Sequence, residues 1–410
     1  DTLQADLMIA DKESLGLAGD ITFSGEILPL EELRCLTDDV LNPGLLASIR
    51  AQAADTDPLY GIFTSGSTGV PKGVVVSHRS VIDFIGHFTE LFHITQDDVI
   101  GNQAPFDFDV SVKDIYSALS TGATLEIIPK RLFSIPTGLL DYLCHRKITT
   151  AIWAVSALCI ITTLKGFTYR VPSHLNKILF SGEVMPVKHL NTWRSYLPKA
   201  LFVNLYGPTE ITCNCTYYVV DRDFEPGTPI PIGKPFPNET VFLLDENNRL
   251  VTEPGQCGEL CVAGTALALG YYRDPERTAM AFVQNPLNTC YQETIYRTGD
   301  LACYGEDGLL YFSSRKDFQI KHMGHRIELG EIEAALEAVE GVDRAVCLFL
   351  EEKNKIAAFY EGTAGKRDIA LGLEHLLPRY MFPNLYRNLP KLPLTKNSKV
   401  DRQALRRLYE

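Results

Sequence analysis

The chain has 410 residues, 45% hydrophobic and 22% charged, with a formal net charge of −12. This is enough length and apolar content for a sizeable core and for two or more domains. A diffuse negative surface argues against a nucleic-acid partner, and the lack of an 18-residue apolar run or a signal-peptide pattern at Asp1 makes the cytoplasm the expected compartment.

In chain order, residues 5–11 read as a strand from the interior of a domain, so a truncated start is expected. Residues 63–73, F-T-S-G-S-T-G-V-P-K-G, form the densest motif. Its glycines allow a tight loop with outward amides, and its hydroxyls and Lys72 supply donors for phosphate oxygens. It is not a Walker A loop, because Pro71 stands where the second glycine belongs. A polar turn before a strand is the plainer alternative, but it would not need Ser, Thr and Lys packed between glycines.

A strand follows at residues 73–76, then a helix from about Ser77 with Val81, Phe84, Ile85, Phe88 and Phe92 on one face. Residues 124–128 and 241–244 read as further strands, and the alternation predicts an α/β fold. A domain boundary is expected near Arg315-Lys316-Asp317. Beyond it, residues 328–339 read as a helix with Leu329, Ile332, Leu336 and Val339 inward and Gly341 just past its end. Strands are expected at residues 345–350 and 356–360. Pro378, Pro383, Pro390 and Pro393 predict a mostly irregular last stretch. The ten cysteines, Cys213, Cys215, Cys257 and Cys261 among them, form no C-x-x-C pair and read as reduced thiols.

The 63–73 loop resembles the phosphate-binding signature of the adenylate-forming superfamily. That superfamily comprises acyl-CoA synthetases, luciferases, peptide-synthetase adenylation domains and D-alanine–carrier-protein ligases. Five further motifs follow in the family's order: N-L-Y-G-P-T-E at residues 204–210, G-E-L through G-Y-Y at 258–272, Y-R-T-G-D at 296–300, the segment 316–333, and residues 393–402.

The resemblance implies a large N-terminal domain of helix-covered sheets over residues 1–316, cut at its start. It also implies a small mobile α+β domain over residues 317–410. The implied reaction uses ATP and Mg²⁺ to convert an amino acid to its adenylate. The acyl group then passes to a carrier-protein phosphopantetheine thiol. Both reacting partners are anions, so catalysis is positioning and charge neutralisation.

By the same resemblance, Thr64, Ser65, Gly66, Ser67, Thr68 and Gly69 hold the β- and γ-phosphates, steadied by Lys72. Thr209 belongs with the catalytic residues, and Glu210 ligates Mg²⁺. Tyr206 lies against adenine, with Asn204 and Gly207 in its motif and Gly182-Glu183 passing along the base. Asp300 accepts the ribose hydroxyls, helped by Arg315. Taken singly, Glu210 reads better as a solvated helix-start carboxylate, Asp300 as a turn cap and Tyr206 as a core aromatic; the ordered motif set favours the functional roles.

Lys399 matches the lysine of P-L-T-x-N-G-K-x-D-R, which bridges substrate carboxylate and α-phosphate. Ser398 replaces that motif's glycine, and Lys396 is a solvated neighbour. Asp317 matches the family hinge, and Lys321, Gly324 and Arg326 match the segment that faces the carrier arm.

Phe108-Asp109-Val110-Ser111-Val112 resembles the segment whose Asp grips the substrate α-ammonium in amino-acid-activating members. The alternative for Asp109 is a helix N-cap. The pocket carries over as Asp109, Val110, Lys113, Trp153, Leu179, Ser181, Leu205, Cys213 and Asn214, which favours a small or polar side chain. Lys113 either points inward to pair an acidic side chain or snorkels outward, and the outward course is the expectation. No carrier-attachment motif follows Lys399, so the carrier is expected in trans or on further polypeptide. The alternatives are a D-alanine–carrier-protein ligase, an acyl-CoA ligase, against which Asp109 argues, and a non-catalytic nucleotide-binding fragment.

Overall fold

The computed structural model describes residues 3–18, 23–34, 42–64, 71–225, 228–316, 319–393 and 400–409. Ser65, Gly66, Ser67, Thr68, Gly69, Asp317, Lys396, Ser398 and Lys399 lie outside the described residues. The chain forms two compact units, Asp1–Ala54 and Asp55–Glu410. In the first, strand Leu7–Ala10 pairs in parallel with Glu26–Pro29, with three helices beside them in the chain.

The second unit is built on a seven-stranded sheet. Its spatial order is Lys234–Pro235, Thr216–Val219, Leu201–Tyr206, Lys177–Ser181, Thr150–Ala154, Val99–Asn102 and Thr124–Ile127. The last five strands run parallel, joined by helices that cover both faces. Two cores result. Trp153, Phe180, Leu158 and Trp193 fill one face, while Ile152, Leu179, Val203 and Leu205 fill the other with Phe84, Phe88 and Phe92.

The helix His78–Leu91 starts where Ser77 Oγ accepts from the Ser80 amide, and its five predicted apolar residues are all buried. A second, antiparallel sheet includes Glu239–Leu244, Cys257–Gly264, Thr294–Tyr304 and Leu310–Arg315. A three-stranded sheet pairs Lys72–Ser77 with Pro58–Thr64 on one side and Gly270–Tyr271 on the other.

Toward the C-terminus come a hairpin, Gln319–His322 with His325–Glu328, and the helix Leu329–Glu337. Leu329, Ile332, Leu336 and Val339 all point into a local core, and Gly341 takes φ +83° just past the helix. Strands Val342–Leu350 and Lys355–Gly362 form the predicted pair. The last stretch is less irregular than its prolines predict. Leu385–Asn388 adds a parallel strand, placed beyond Pro378 and Pro383 where no ladder bond is interrupted, and Arg402–Arg406 is a short helix capped by Asp401. Among the described residues, no helix is long and apolar enough to cross a membrane.

Candidate active site

The site lies where the parallel strands end, the usual place for ligands in an open α/β sheet. The strand Leu201–Tyr206 delivers Tyr206, whose hydroxyl donates to Asp300 Oδ2. Arg315 Nη1 donates to Asp300 Oδ1 at 2.5 Å, and Nη2 to the Thr298 carbonyl at 3.3 Å. Asp300 and Arg315 are cross-strand register partners, so the antiparallel sheet itself sets this pair. Burial and the Asp300 carboxylate push the Tyr206 phenol well up, keeping it a neutral donor. Asn204 turns its amide to the Pro231 carbonyl at 2.8 Å, which gives it a structural bond in this group.

The second group forms around Glu210, fully buried in the turn Thr209–Ile211. Its Oε1 lies 2.8 Å from Lys72 Nζ and accepts from Tyr271 Oη at 2.9 Å. Lys72 Nζ also donates to Tyr271 Oη at 3.2 Å, closing a triangle. Lys72 opens the strand Lys72–Ser77, and Thr64 at the end of Pro58–Thr64 pairs with it in register. Among the described residues, the buried Thr64 hydroxyl has no hydrogen-bond partner. Gly207 is required by close approach: a Cβ there would sit 2.5 Å from Asn214 Cα.

The third group is the pocket. Asp109 stands at the start of helix Val110–Thr121 but makes no side-chain cap bond, so it does not serve as an N-cap. Burial raises its pKa, against the pull of Lys113, a hydrogen bond from Thr209, and Lys321, while Glu210 adds to the rise. The Cys213 thiol donates to the Asp109 carbonyl at 3.0 Å. Thr212 and Cys213 hold φ +51° and +76°, a strained course for side chains of their kind that carries the chain past the pocket. Leu179, Ser181 and Leu205 are buried there, and Val110 is half-buried.

A family model described as AMP-binding enzyme matches residues 8–272. The chain belongs to the AMP-binding enzyme family. It is 37% identical over 407 residues to tyrocidine synthase 3 of Brevibacillus parabrevis, covering 97% of this chain and 6% of that protein. It is 36% identical over 374 residues to an L-proline–[L-prolyl-carrier protein] ligase of Streptomyces coelicolor, covering 89% of this chain and 66% of that one. The chain thus spans less than two thirds of either relative. The fold is similar to that of the Vibrio cholerae adenylation domain AlmE in complex with glycyl-adenosine-5'-phosphate. The TM-score is 0.84 at 24% identity, over 100% of this chain and 80% of that one.

In this AMP-binding enzyme two expectations about the pocket need correction. Lys113 does not snorkel outward. It is fully buried, donating from Nζ to Asn214 Oδ1 at 2.7 Å and Ser181 Oγ at 3.4 Å. Trp153 does not line the pocket. It pairs in register with Phe180, so both point to the sheet face opposite Leu179, and its indole donates to the Gly101 carbonyl at 2.7 Å.

Gly182 takes φ +96°, and Glu183 Oε1 accepts from the Gly324 amide at 3.1 Å, tying that turn to the hairpin. Lys321 Nζ lies 5.5 Å from the Tyr206 ring centroid. Arg326 lies on the hairpin's second strand.

Three residues escaped the sequence reading. Tyr271 completes the Lys72–Glu210 triangle. Tyr60 buries its hydroxyl close enough to Cys213 and Asp109 that they raise its pKa beyond the effect of burial. Asp114, fully buried next to Lys113, accepts from Asn102 Nδ2 at 2.7 Å, and burial lifts its carboxyl to about 7. Tyr271 lay inside a quoted motif; Tyr60 and Asp114 had only their polarity amid apolar runs as a signal.

Proposed function

We propose that this enzyme activates an amino acid with ATP, forming an aminoacyl-adenylate and pyrophosphate, and then passes the acyl group to a carrier-protein phosphopantetheine thiol. The observation that carries this reading is the placement of half-buried Asp109 beside Thr209, one residue from Glu210. An ammonium-binding carboxylate thereby adjoins the group that faces the phosphates.

Tyr206, Asp300 and Arg315 orient the nucleoside, with the Asp300 carboxylate accepting from ribose hydroxyls. Thr64, Ser65, Gly66, Ser67, Thr68, Gly69 and Lys72 hold the departing phosphates. Asp109 fixes the substrate ammonium, which aims the substrate carboxylate at the α-phosphorus. Lys399 offsets the repulsion between the two anions. We assign residues 1–316 to the nucleotide- and amino-acid-binding domain, and residues 317–410 to a lid that turns about Asp317. Lys321, Gly324 and Arg326 then face the carrier arm.

Among the described residues, no cluster of three or more acidic, His or Cys side chains exists to cage a metal. The single buried carboxylate of Glu210, with the Thr209 hydroxyl, suits Mg²⁺, which takes one or two carboxylates and leaves its other positions to phosphate and water. Mg²⁺ bound there supplies positive charge to the phosphate oxygens. Lys72, which lies against Glu210 Oε1, holds that carboxylate in position.

The test is exchange of labelled pyrophosphate into ATP across a panel of carboxylic acids. Exchange with amino acids, lost in Lys399→Ala while AMP binding persists, supports the reading. Exchange with fatty or aryl acids instead, or none at all, refutes it.

A further inference from the structure

We propose that Lys113 makes this enzyme selective for an amino acid with an anionic side chain, of the aspartate or glutamate class. The inference rests on the adenylation reading above and sharpens its substrate.

Lys113 is the largest charged side chain in the fully buried set of the molecule. Its ammonium has three donors. Two are satisfied by neutral oxygens, Asn214 Oδ1 at 2.7 Å and Ser181 Oγ at 3.4 Å, and among the described residues it has no ion-pair partner. The adjacent carboxylate, Asp114, turns its Oδ2 to Asn102 and leaves Oδ1 buried without a partner. A fully buried cation held only by neutral dipoles is costly unless an anion meets it.

The arrangement around it says where that anion comes from. Asp109 and Lys113 are four residues apart at the start of one helix, so they stand one turn, roughly 6 Å, apart along one face. They are not bonded to each other, and Asp109 likewise has no ion pair among the described residues. An acidic amino acid carries the complementary set: an ammonium for Asp109, a side-chain carboxylate for Lys113, and its α-carboxylate still free for the α-phosphorus. Each of the two charges then has one partner. A neutral side chain leaves Lys113 unpaired, and a basic one meets it with like charge.

Groups facing Lys113 from every side bear this out. Burial opposes its charge and lowers its pKa, while the carboxylates of Asp109 and Asp114 favour the charged form. Ser181 and Asn214 come from two other elements, and both turn oxygens to it. The pocket end is therefore built to hold an ammonium in place.

The experiment is pyrophosphate exchange by the wild-type enzyme with Asp, Glu, Asn, Gln, Ala, Leu and Lys. Asp or Glu should exceed its isosteric amide at least tenfold in kcat/KM. Lys113→Met should lower that acidic substrate's kcat/KM about a hundredfold or more, chiefly through KM, and erase the preference over the amide. Asn214→Asp, which hands Lys113 a carboxylate of the protein's own, should erase it too without removing the lysine. Exchange confined to neutral or basic amino acids overturns this inference alone. No exchange with any amino acid overturns the adenylation reading and this inference with it.

Discussion

Asp109→Asn should move activity and stability in opposite directions. The substitution keeps side-chain volume and removes the charge. In the free protein, burial holds the Asp109 carboxyl above its ordinary 3.8, and Glu210 adds to the rise, while Lys113, Thr209 and Lys321 only partly offset it. A folded pKa above the unfolded one means that the native state binds the extra proton. The stability tied to that proton is therefore lost as pH rises past the unfolded value. At pH 8 the amide removes this penalty, so the thermal midpoint of the variant should equal or exceed that of the wild type.

Binding responds the other way. The substrate ammonium loses its buried ionic partner, and breaking one side of such a pair costs about 3–5 kcal/mol. That corresponds to a fall of roughly two to three and a half orders of magnitude in kcat/KM. Amino-acid-dependent pyrophosphate exchange measures the fall, and differential scanning fluorimetry measures the midpoint. The desamino analogue of the best substrate should show little difference between the two proteins. Exchange within threefold of wild type would refute the assignment of Asp109. So would a fall matched by an equal loss of folding free energy, because the residue would then be structural.

Glu210→Gln removes the carboxylate that Lys72 and Tyr271 share. Exchange should fall about 10- to 150-fold, and the Mg²⁺ concentration for half-maximal rate should rise, since a charge-assisted contact is worth about 1.5–3 kcal/mol. Asp300→Ala strips Tyr206 and Arg315 of their acceptor. Calorimetric affinity for AMP should drop on the order of 10- to 100-fold, again from one or two charged hydrogen bonds. Asp114 holds its proton to about pH 7 against an ordinary 3.8, so its contribution to stability falls as pH rises through that window. Asp114→Asn should flatten the pH dependence of the thermal midpoint and leave the protein more stable at pH 8 by on the order of a few kcal/mol. Gly207→Ala drives a Cβ into backbone at 2.5 Å, and should lower exchange more than tenfold with a depressed midpoint.

Local periodicity made the helices legible. Val81, Phe84, Ile85, Phe88 and Phe92 recur at helical spacing after a capping Ser77, and nothing tertiary was needed to place them. The same local logic could have excluded Trp153 from the pocket. Side chains alternate along a strand, and Ile152 shares a core with Leu179 and Leu205, so Trp153 belongs to the opposite face. Motif matching overrode that parity. Lys72 and Glu210 were each legible from their own motifs, yet their contact spans 138 positions and depends on how two sheets meet, which no spacing rule encodes. The direction of Lys113 was illegible for another reason. A lysine one turn into a helix has long rotamers in both directions, and the oxygens that draw it inward, on Ser181 and Asn214, come from remote segments.

The two halves of the site differ in how their charges are compensated, and that difference has a mechanistic consequence. On the nucleotide side, Asp300 is paired with Arg315 and Glu210 with Lys72, so those carboxylates are oriented before any ligand arrives. On the amino-acid side, half-buried Asp109 and fully buried Lys113 stand a turn apart, and among the described residues neither has an ion-pair partner: Asp109 accepts from Thr209, and Lys113 donates to the neutral oxygens of Asn214 and Ser181. The nucleotide half is thus preorganised, whereas the pocket becomes electrostatically complete only with a zwitterion of the right pattern in place. A ligand that relieves such a deficit stabilises the fold by more than its contacts alone suggest, because it also cancels the desolvation cost carried by the free protein. On the proposed reading, discrimination among amino acids would arise from the cost of leaving the Asp109 or Lys113 charge unmatched, a steeper criterion than side-chain size in an apolar pocket.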